Sequence, residues 1–382
     1  MTENMIELDQ LTKHYPGQDR PAVTELTMNI AAGEIVVFVG PSGCGKTTTM
    51  KLVNRLIEPS SGRIVMQGED VTSVNPDQLR RRIGYVIQQG GLFPHMTIAE
   101  NIATVPKMLG WDRGRIAERV DQLLTLVGLD PGEFAQRYPK QLSGGQQQRV
   151  GVARALGADP PVMLMDEPFG AIDPVQRENL QNEFLKLQGD IRKTIIFVTH
   201  DIDEAIKMGD RIAILNTGAV VAQYDTPERI LSDPADEFVA DFVGRGASIR
   251  RLSLTRVKDA AVPRWPAVAA STDPRRILAI ARESKQGWAI LLDDARRPIG
   301  WVPSMVASTD TTMLSKGVPV NAEIRPEDTL FDALDGMLSS NRSATVVVDE
   351  EGRYRGVLDI ETVRGLIHSA PEAPAANGSS GK

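Results

Sequence analysis

The apolar positions of this chain form short unbroken runs that alternate with longer stretches of helical spacing. Glu34 to Val39, Val162 to Met165 and Thr194 to Val198 are runs of this kind, which favour strands buried on both faces of a parallel sheet. From 98 to 129 the spacing becomes helical, which predicts a helical insert between strands. The pattern therefore predicts an α/β fold.

Weaker patterns extend this domain in both directions. Met5 to Leu8 and Leu26 to Ile30 are β-type runs around a turn signal at residues 15–17, and they predict a β-subdomain. Residues 201–246 predict a helix, two short strands and two small helices. We expect one domain over residues 1–246, with its helical subdomain at about 98–158.

The last third of the chain repeats itself. Aligned at an offset of 56 residues, Leu278 falls on Leu334 and Gly300 on Gly356, and each copy predicts helix, strand, acidic turn and strand. The copies are expected at about 267–310 and 311–368, as a pseudo-symmetric pair that buries shared apolar faces. The polar, basic segment 247–266 is interpreted as a linker or docking strip, and 369–382, rich in Pro, Ala, Gly and Ser, as a disordered tail.

Composition narrows the class of protein. The 382 residues are 41% hydrophobic and 24% charged, which is typical of a soluble protein of two or three domains. No apolar run is long enough for a membrane span and no secretory leader is recognisable, so we expect a chain that neither crosses a bilayer nor is secreted. A single cysteine excludes an internal disulfide and a thiolate cluster, and the net charge of −7 argues against nucleic-acid binding.

A phosphate-binding loop follows the first buried run. It has two glycines five residues apart followed by Lys and Thr, between a predicted strand and a predicted helix. Glycines let the backbone wrap around phosphate oxygens, the Lys ammonium reaches the β- and γ-phosphates, and the Thr hydroxyl binds Mg²⁺. A glycine-rich turn without a ligand is the alternative. The predicted contacts are Gly40, Pro41, Ser42, Gly43, Cys44, Gly45, Lys46, Thr47 and Thr48.

A second glycine motif lies at residues 142–146. Ser143 and Gln146 have the spacing of a capping box, which explains them as the start of a helix. Two glycines in the first turn each cost about 1 kcal/mol relative to Ala, and a cap alone does not explain them. We therefore interpret this helix start, with Ser143 and Gly145, as a second phosphate-binding position.

Polar residues follow three of the predicted strands. Asp166 and Glu167 end the second buried run; Asp166 suits contact to Mg²⁺ through water, and Glu167 suits activation of a water for attack on the γ-phosphate. His200 follows the third buried run. It is interpreted as a hydrogen-bond donor to phosphate or as a cap of the next helix. Gln88 is a candidate ligand of Mg²⁺ or of the attacking water, or an ordinary loop residue. Tyr15 either stacks on a nucleotide base or packs on the sheet.

Together these motifs resemble an ATP-binding cassette (ABC) ATPase over about residues 5–245. The resemblance implies that ATP and Mg²⁺ bind, that Lys46, Gln88, Glu167 and His200 are catalytic, and that Tyr15 stacks on adenine. It further implies a homodimer in which Ser143 and Gly145 contact the ATP of the partner protomer. Asp173 is then the D-loop aspartate, although Gly170 stands where that motif commonly has serine.

Residues 267–368 resemble tandem CBS repeats, the second more closely than the first. A cassette followed by such a pair is similar to the ATPase of osmoprotectant importers for glycine betaine, choline, carnitine or proline. This implies integral membrane permease subunits, an extracytoplasmic solute-binding protein, and a peripheral position on the cytoplasmic face of the plasma membrane. A cyclic dinucleotide at the CBS pair is a further candidate ligand.

The CBS repeats depart from the nucleotide-binding pattern, which places Thr or Ser three residues, and Asp six residues, after the glycine that opens the second strand. Those positions are Asp359 and Thr362 in one copy and Pro303 and Val306 in the other, so ordinary adenosine binding is not expected. Open alternatives are an ABC importer for another cargo, a soluble ABC protein of translation or DNA repair, and a purely structural CBS pair.

Overall fold

The computed structural model describes residues 4–87, 91–170, 172–244, 246–306 and 316–368. The chain divides between Gly244 and Arg245 into two units, close to the change in pattern at residue 246. No helix in the described ranges is long and apolar enough to cross a bilayer.

The first unit contains ten strands among its described residues, which form an antiparallel sheet in the order β2-β1-β4-β5 and a six-stranded sheet in the order β10-β9-β3-β8-β7-β6. In the second sheet all neighbours are parallel except β10, which pairs antiparallel with β9. The strands are β1 Asn4–Lys13, β2 Val23–Ala31, β3 Ile35–Val39, β4 Ser61–Met66, β5 Glu69–Asp70, β6 Ile83–Val86, β7 Val162–Asp166, β8 Thr194–Val198, β9 Arg211–Asn216 and β10 Val220–Asp225.

The helices of the first unit include the predicted insert, which consists of α3 to α7 between β6 and β7. They are α1 Lys46–Val53, α2 Pro76–Arg80, α3 Ile98–Ile102, α4 Thr104–Met108, α5 Arg113–Leu126, α6 Pro131–Phe134, α7 Gly144–Ala155, α8 Pro174–Ile191, α9 Ile202–Met208, α10 Pro227–Ser232 and α11 Glu237–Val243. A 3₁₀ turn, Pro139–Gln141, precedes α7.

The three unbroken apolar runs are the centre of the six-stranded sheet. Every residue of β3 and β8 is buried, as are all but the last residue of β7. Strands covered on both faces have no position for a polar side chain until they end, so polar side chains appear at their carboxyl ends. Burial of β3 thereby fixes where the phosphate loop emerges.

The second unit contains the predicted repeat. Its elements are α12 Ala247–Leu254, β11 Ala267–Ala269, α13 Pro274–Glu283, β12 Trp288–Leu292, β13 Pro298–Pro303, β14 Val318–Pro319, β15 Glu323–Ile324, α14 Leu330–Ser339, β16 Ala344–Val348, β17 Tyr354–Asp359 and α15 Ile360–His368. The sequences α13-β12-β13 and α14-β16-β17 are offset by 56 residues at every boundary, which confirms the alignment of the copies.

The two copies exchange their leading segments. The segment before the second copy supplies β14, which pairs with β13 of the first sheet. The segment before the first copy supplies Pro263, whose carbonyl accepts a hydrogen bond from Val357 of the second sheet. The expected division at residues 310 and 311 therefore does not match the sheets, because β14 lies in the second range and belongs to the first sheet.

The interpretation of 247–266 as a linker also needs correction. Leu252 of α12 and Val257 are buried in the core that α14 and α15 form in the second copy. The basic residues are partly engaged as well, since Arg256 Nη1 donates to the Glu327 carbonyl at 2.9 Å and Lys258 Nζ lies 2.7 Å from Glu327 Oε2. The charge count along the segment does not reveal the two apolar residues that anchor it in this core.

Candidate nucleotide site

The phosphate loop joins the carboxyl end of β3 to the first residue of α1. Gly40, Gly43 and Gly45 have φ of 154°, 78° and 114°, in the range that favours glycine. A Cβ on Gly40 would lie 2.1 Å from the Leu215 carbonyl oxygen, whereas a Cβ on Gly43 would meet nothing within 4 Å. The chain's own packing therefore requires glycine at position 40, and position 43 leaves the outer side of the loop open.

Lys46 places its ammonium group inside this loop. The side chain is buried, and Nζ donates to the carbonyl oxygens of Gly40 at 2.7 Å and Pro41 at 3.0 Å. Cys44 is buried with its Sγ 3.7 Å from the same nitrogen, as expected for a small filler, whereas Ser42 is exposed. The loop thus holds one buried positive charge where the predicted phosphates would lie.

Thr47 and Asp166 meet next to the loop. Thr47 Oγ1 donates to Asp166 Oδ1 at 3.2 Å, and Thr48 follows on the first turn of α1. Burial raises the pKa of the Asp166 carboxyl and Glu167 adds to this effect, while the hydrogen bond from Thr47 opposes it. A hydroxyl and a carboxylate are donor types that Mg²⁺ accepts in proteins, so these residues fit the implied ion.

Glu167 and His200 lie together at the ends of neighbouring strands. His200 Nδ1 is 3.2 Å from Glu167 Oε1, and the Glu167 side chain is 22% exposed against 64% for His200. Parallel pairing of β7 with β8 sets Asp166 opposite Val198, so the residues that follow each strand emerge side by side. Glu167 has φ of 44°, and its N–H donates to the Val198 carbonyl. The site therefore presents a partly covered carboxylate with an imidazole beside it.

Ser143 caps α7 as the spacing predicts. Its side chain accepts from the Gln146 N–H, and Gln146 Oε1 accepts from the Ser143 N–H in return. A Cβ on Gly144 would meet nothing within 4 Å, and one on Gly145 would make only ordinary contacts at 3.5 Å. Crowding within this chain therefore does not require these glycines, and the approach of a phosphate from outside stays a prediction.

Two predicted residues, Tyr15 and Asp173, make no contact with this cluster among the described residues. Tyr15 is half-buried, with the Lys13 ammonium 5.2 Å from its ring centre. Asp173 caps α8 by accepting from the Gln176 N–H at 3.1 Å. Gln88 lies outside the described residues. Adenine stacking, the D-loop role and the glutamine role stay predictions.

One buried polar cluster beside the site was not predicted from the sequence. Thr199, Gln181 and Glu204 are all buried, and both Thr199 Oγ1 and Gln181 Nε2 donate to the Glu204 carboxylate. The sequence carried a misleading signal, because Glu204 stands three residues after Asp201, the cap of α9, at the spacing of a capping box. That pattern describes an exposed side chain, not a buried one.

Comparisons with known proteins support the assignment of the domains. A family model described as ABC transporter matches residues 23–170, and one described as CBS domain matches 321–369. The osmoprotectant import ATP-binding protein OsmV of Salmonella typhimurium is 44% identical over 379 residues, which cover 98% of this chain and 99% of that protein. The chain belongs to the family of ABC transporter ATP-binding proteins.

A second curated relative matches the chain over nearly its whole length, and a solved cassette matches part of it. The glycine betaine/carnitine/choline transport ATP-binding protein OpuCA of Bacillus subtilis is 43% identical over 381 residues, which cover 96% of this chain and 97% of that protein. A dimeric bacterial ABC transporter cassette is 35% identical with a TM-score of 0.52, and the match covers 58% of this chain and 98% of that structure. The predicted fold class, an ABC cassette followed by a CBS region, is confirmed.

The structure of the CBS region explains why Asp359 and Thr362 stand in the reverse order of the nucleotide-binding pattern. Asp359 Oδ1 accepts hydrogen bonds from the N–H and the hydroxyl of Thr362, at 2.8 and 2.6 Å. The pair therefore stabilises the first turn of α15, and the Thr362 hydroxyl is engaged in that turn. The departure from the nucleotide-binding pattern has a structural role.

Proposed function

We propose that this chain is the ATP-hydrolysing subunit of an importer for osmoprotectants of the glycine betaine, choline, carnitine or proline type. The observation that carries the ATPase assignment is the Glu167–His200 pair beside the Thr47–Asp166 contact, both at the mouth of the phosphate loop. The cargo class rests on relatives that match nearly the whole chain, CBS region included.

Nucleotide binding is the first task of the site. The loop of residues 40–45 would surround the phosphates with backbone N–H groups, and Lys46 would exchange its bonds to the loop carbonyls for bonds to phosphate oxygens. Thr47 and Asp166 would hold Mg²⁺, with Gln88 as a further ligand, and the ion supplies neutralisation of charge on the phosphates. Tyr15 would stack on the adenine ring.

Hydrolysis then depends on Glu167. Its carboxylate is placed to accept a proton from water as that water attacks the γ-phosphate. His200, in contact with this carboxylate, would donate a hydrogen bond to the γ-phosphate and so orient both partners. Lys46 would stabilise the negative charge that develops on the transferred group.

A second protomer completes the site in this proposal. Ser143 and Gly145 lie at the start of α7, where N–H groups have no partner in the preceding turn. In a homodimer they would close over the ATP held by the partner's phosphate loop, with Asp173 lining the interface. Dimeric cassettes among the structural relatives support this arrangement.

The remaining partners follow from the transport assignment. Integral membrane permease subunits would hold the dimer at the cytoplasmic face of the plasma membrane. An extracytoplasmic solute-binding protein would deliver the cargo, so no residue of this chain needs to touch it. The CBS pair would regulate the motor, with a cyclic dinucleotide as the candidate ligand, and no nucleic acid is involved.

Reconstitution tests this function. The chain is purified with its permease subunits and inserted into vesicles, and MgATP hydrolysis and uptake are measured with glycine betaine, choline, carnitine and proline. We expect at least one of these solutes to be taken up in an ATP-dependent manner, and a Lys46→Ala variant to abolish it. Uptake only of a sugar or of another amino acid would refute the cargo class and leave the ATPase assignment intact.

A further inference from the structure

The buried cluster of Thr199, Gln181 and Glu204 connects two elements that border the nucleotide site. Gln181 belongs to α8, which is capped by Asp173, and Glu204 belongs to α9, which is capped by the residue after His200. Gln181 Nε2 donates to Glu204 Oε1 at 3.1 Å, and the Thr199 hydroxyl donates to Glu204 Oε2. Each carboxylate oxygen thus binds a different element.

The Thr199 hydroxyl also closes the turn that presents His200. It accepts a hydrogen bond from the Asp201 N–H at 3.1 Å, so Thr199, which precedes the histidine, is bonded to two residues that follow it, Asp201 and Glu204. A hydroxyl has one proton to donate. Because Glu204 accepts that proton, a lone pair of the hydroxyl oxygen accepts the hydrogen bond from the Asp201 N–H. The two bonds together fix the backbone around His200.

Arg177 of α8 links the same carboxylate to the segment that precedes that helix. Arg177 Nη2 donates to the Ile172 carbonyl at 3.0 Å, and its positive charge acts on Glu204. Burial raises the pKa of the Glu204 carboxyl, and the nearby Asp201 adds to this, whereas Thr199, Gln181 and Arg177 oppose it. A buried carboxylate is costly unless its hydrogen bonds are satisfied, so these partners have to stay in place together.

We propose that Glu204 is a positioning residue, which orients His200 through the Thr199 hydroxyl and ties that turn to α8. This inference rests on the proposed ATPase function, because His200 matters only if the site hydrolyses ATP. Glu204 is a buried acid three residues beyond the cap of α9. In this proposal it affects the rate of ATP hydrolysis and not the binding of ATP.

The test compares variants that break the hydroxyl bonds with variants that keep them. Thr199→Val is nearly isosteric and removes both bonds, whereas Thr199→Ser keeps them. Glu204→Ala removes the acceptor, whereas Glu204→Gln keeps an acceptor for Thr199 and offers an amide donor to a flipped Gln181. We expect Thr199→Val and Glu204→Ala to lower kcat at least about tenfold with KM for ATP within twofold, and the conservative variants to recover most of that loss.

Glu178→Ala is the matched control. Glu178 also joins α8 to α9, through Lys207 at 3.7 Å, but the pair is at the surface and does not touch Thr199. We expect kcat within twofold of the wild type. All rates are measured well below the melting temperature of each variant, so that loss of folded protein does not count as loss of turnover.

A double-mutant cycle decides whether the Thr199 hydroxyl, through which Glu204 is proposed to act, affects turnover by orienting His200. In a His200→Ala background, Thr199→Val should reduce kcat less than twofold, because the histidine it would misplace is gone. An equal loss in both backgrounds would overturn the proposal, as would a wild-type kcat in Thr199→Val. If the wild-type complex itself fails to hydrolyse MgATP, the proposed function fails instead.

Discussion

Adjacent carboxylates at the end of β7 have different partners. Asp166 accepts from Thr47 and is partly buried, whereas Glu167 lies against His200. The positive φ of Glu167 turns the backbone away from the strand direction, a conformation that costs of order 1 kcal/mol for a residue with a Cβ. The turn separates Asp166, the acid proposed to bind Mg²⁺, from Glu167, the acid proposed to activate water.

Replacing Glu167 by Gln tests its role as the base. The amide oxygen can still accept from His200, but the side chain can no longer take a proton, so we expect kcat to fall by about 10²–10⁴-fold while ATP affinity stays within a few-fold. Phosphate release and nucleotide binding measure the two effects, and size-exclusion chromatography should show an ATP-stabilised dimer. Wild-type turnover would remove Glu167 from the mechanism.

Asp166 should make the nucleotide-free protein less stable at neutral pH. Folding raises the pKa of this carboxyl, so its contribution to stability is present below the unfolded pKa and is lost as the pH rises through the folded pKa. We expect Asp166→Asn to raise Tm by a few degrees at pH 7 and to have little effect near pH 4, measured by calorimetry without Mg²⁺ or ATP.

Asp121 of α5 is exposed and provides the control, since the Asp121→Asn change should shift Tm at pH 7 by less than about two degrees. A lower Tm for Asp166→Asn at pH 7 would contradict the prediction. Asp166→Asn should also bind MgATP less tightly, since it has lost the carboxylate charge that we propose faces Mg²⁺.

At the scale of elements, the exchange of leading segments holds the CBS pair together. A Cβ on Gly300 of β13 would lie 2.3 Å from the Lys316 carbonyl oxygen, and one on Gly356 of β17 would lie 2.6 Å from Val262 Cγ1. The two glycines are equivalent in the repeat, and each allows the other copy's leading segment to approach. This explains why glycine occurs at the same position in both copies.

Gly300→Ala should therefore destabilise the second unit by about 1–3 kcal/mol, because backbone has to move away from the new methyl group. Gly336→Ala is the control: it lies in the interior of α14, where a Cβ would make only an ordinary contact at 3.5 Å. That change should stabilise the helix by up to about 1 kcal/mol. Calorimetry resolves the outcome, and an unchanged or higher Tm for Gly300→Ala would refute the close approach.

At the scale of the whole molecule, the proposed dimer makes each ATP site from two chains. Within one chain, Lys46 belongs to the phosphate loop and Ser143 to the cap of α7, and the hydrogen bonds of Ser143 stay within that cap. A site that takes Lys46 from one protomer and Ser143 from the other can be recognised by mixing variants of the two residues.

Lys46→Ala and Ser143→Arg should each be inactive alone. Mixed in equal amounts, they form heterodimers with one intact composite site, so we expect recovery of roughly a quarter of wild-type ATPase activity if pairing is random. The assay uses the complex with its permease, and a Lys46→Ala/Ser143→Arg double variant mixed with Lys46→Ala serves as the inactive control. High activity of Ser143→Arg alone would show that Ser143 acts only as a helix cap.

The sequence alone determined the features that depend on local backbone requirements. The phosphate loop, the cap at Ser143 and the 56-residue repeat are all visible because glycines, capping residues and hydrophobic spacing are set by their immediate neighbours in the chain. These patterns gave the fold class and most of the candidate site.

Only the tertiary structure decided which side chains meet. The Thr47–Asp166 and Glu167–His200 contacts depend on β8 lying between β3 and β7, and hydrophobic periodicity does not encode strand order. Burial of Glu204 and the packing of α12 into the second CBS copy likewise depend on distant elements. The physical reason is that an apolar run specifies that a surface must be covered, whereas the chain's long-range packing specifies what covers it.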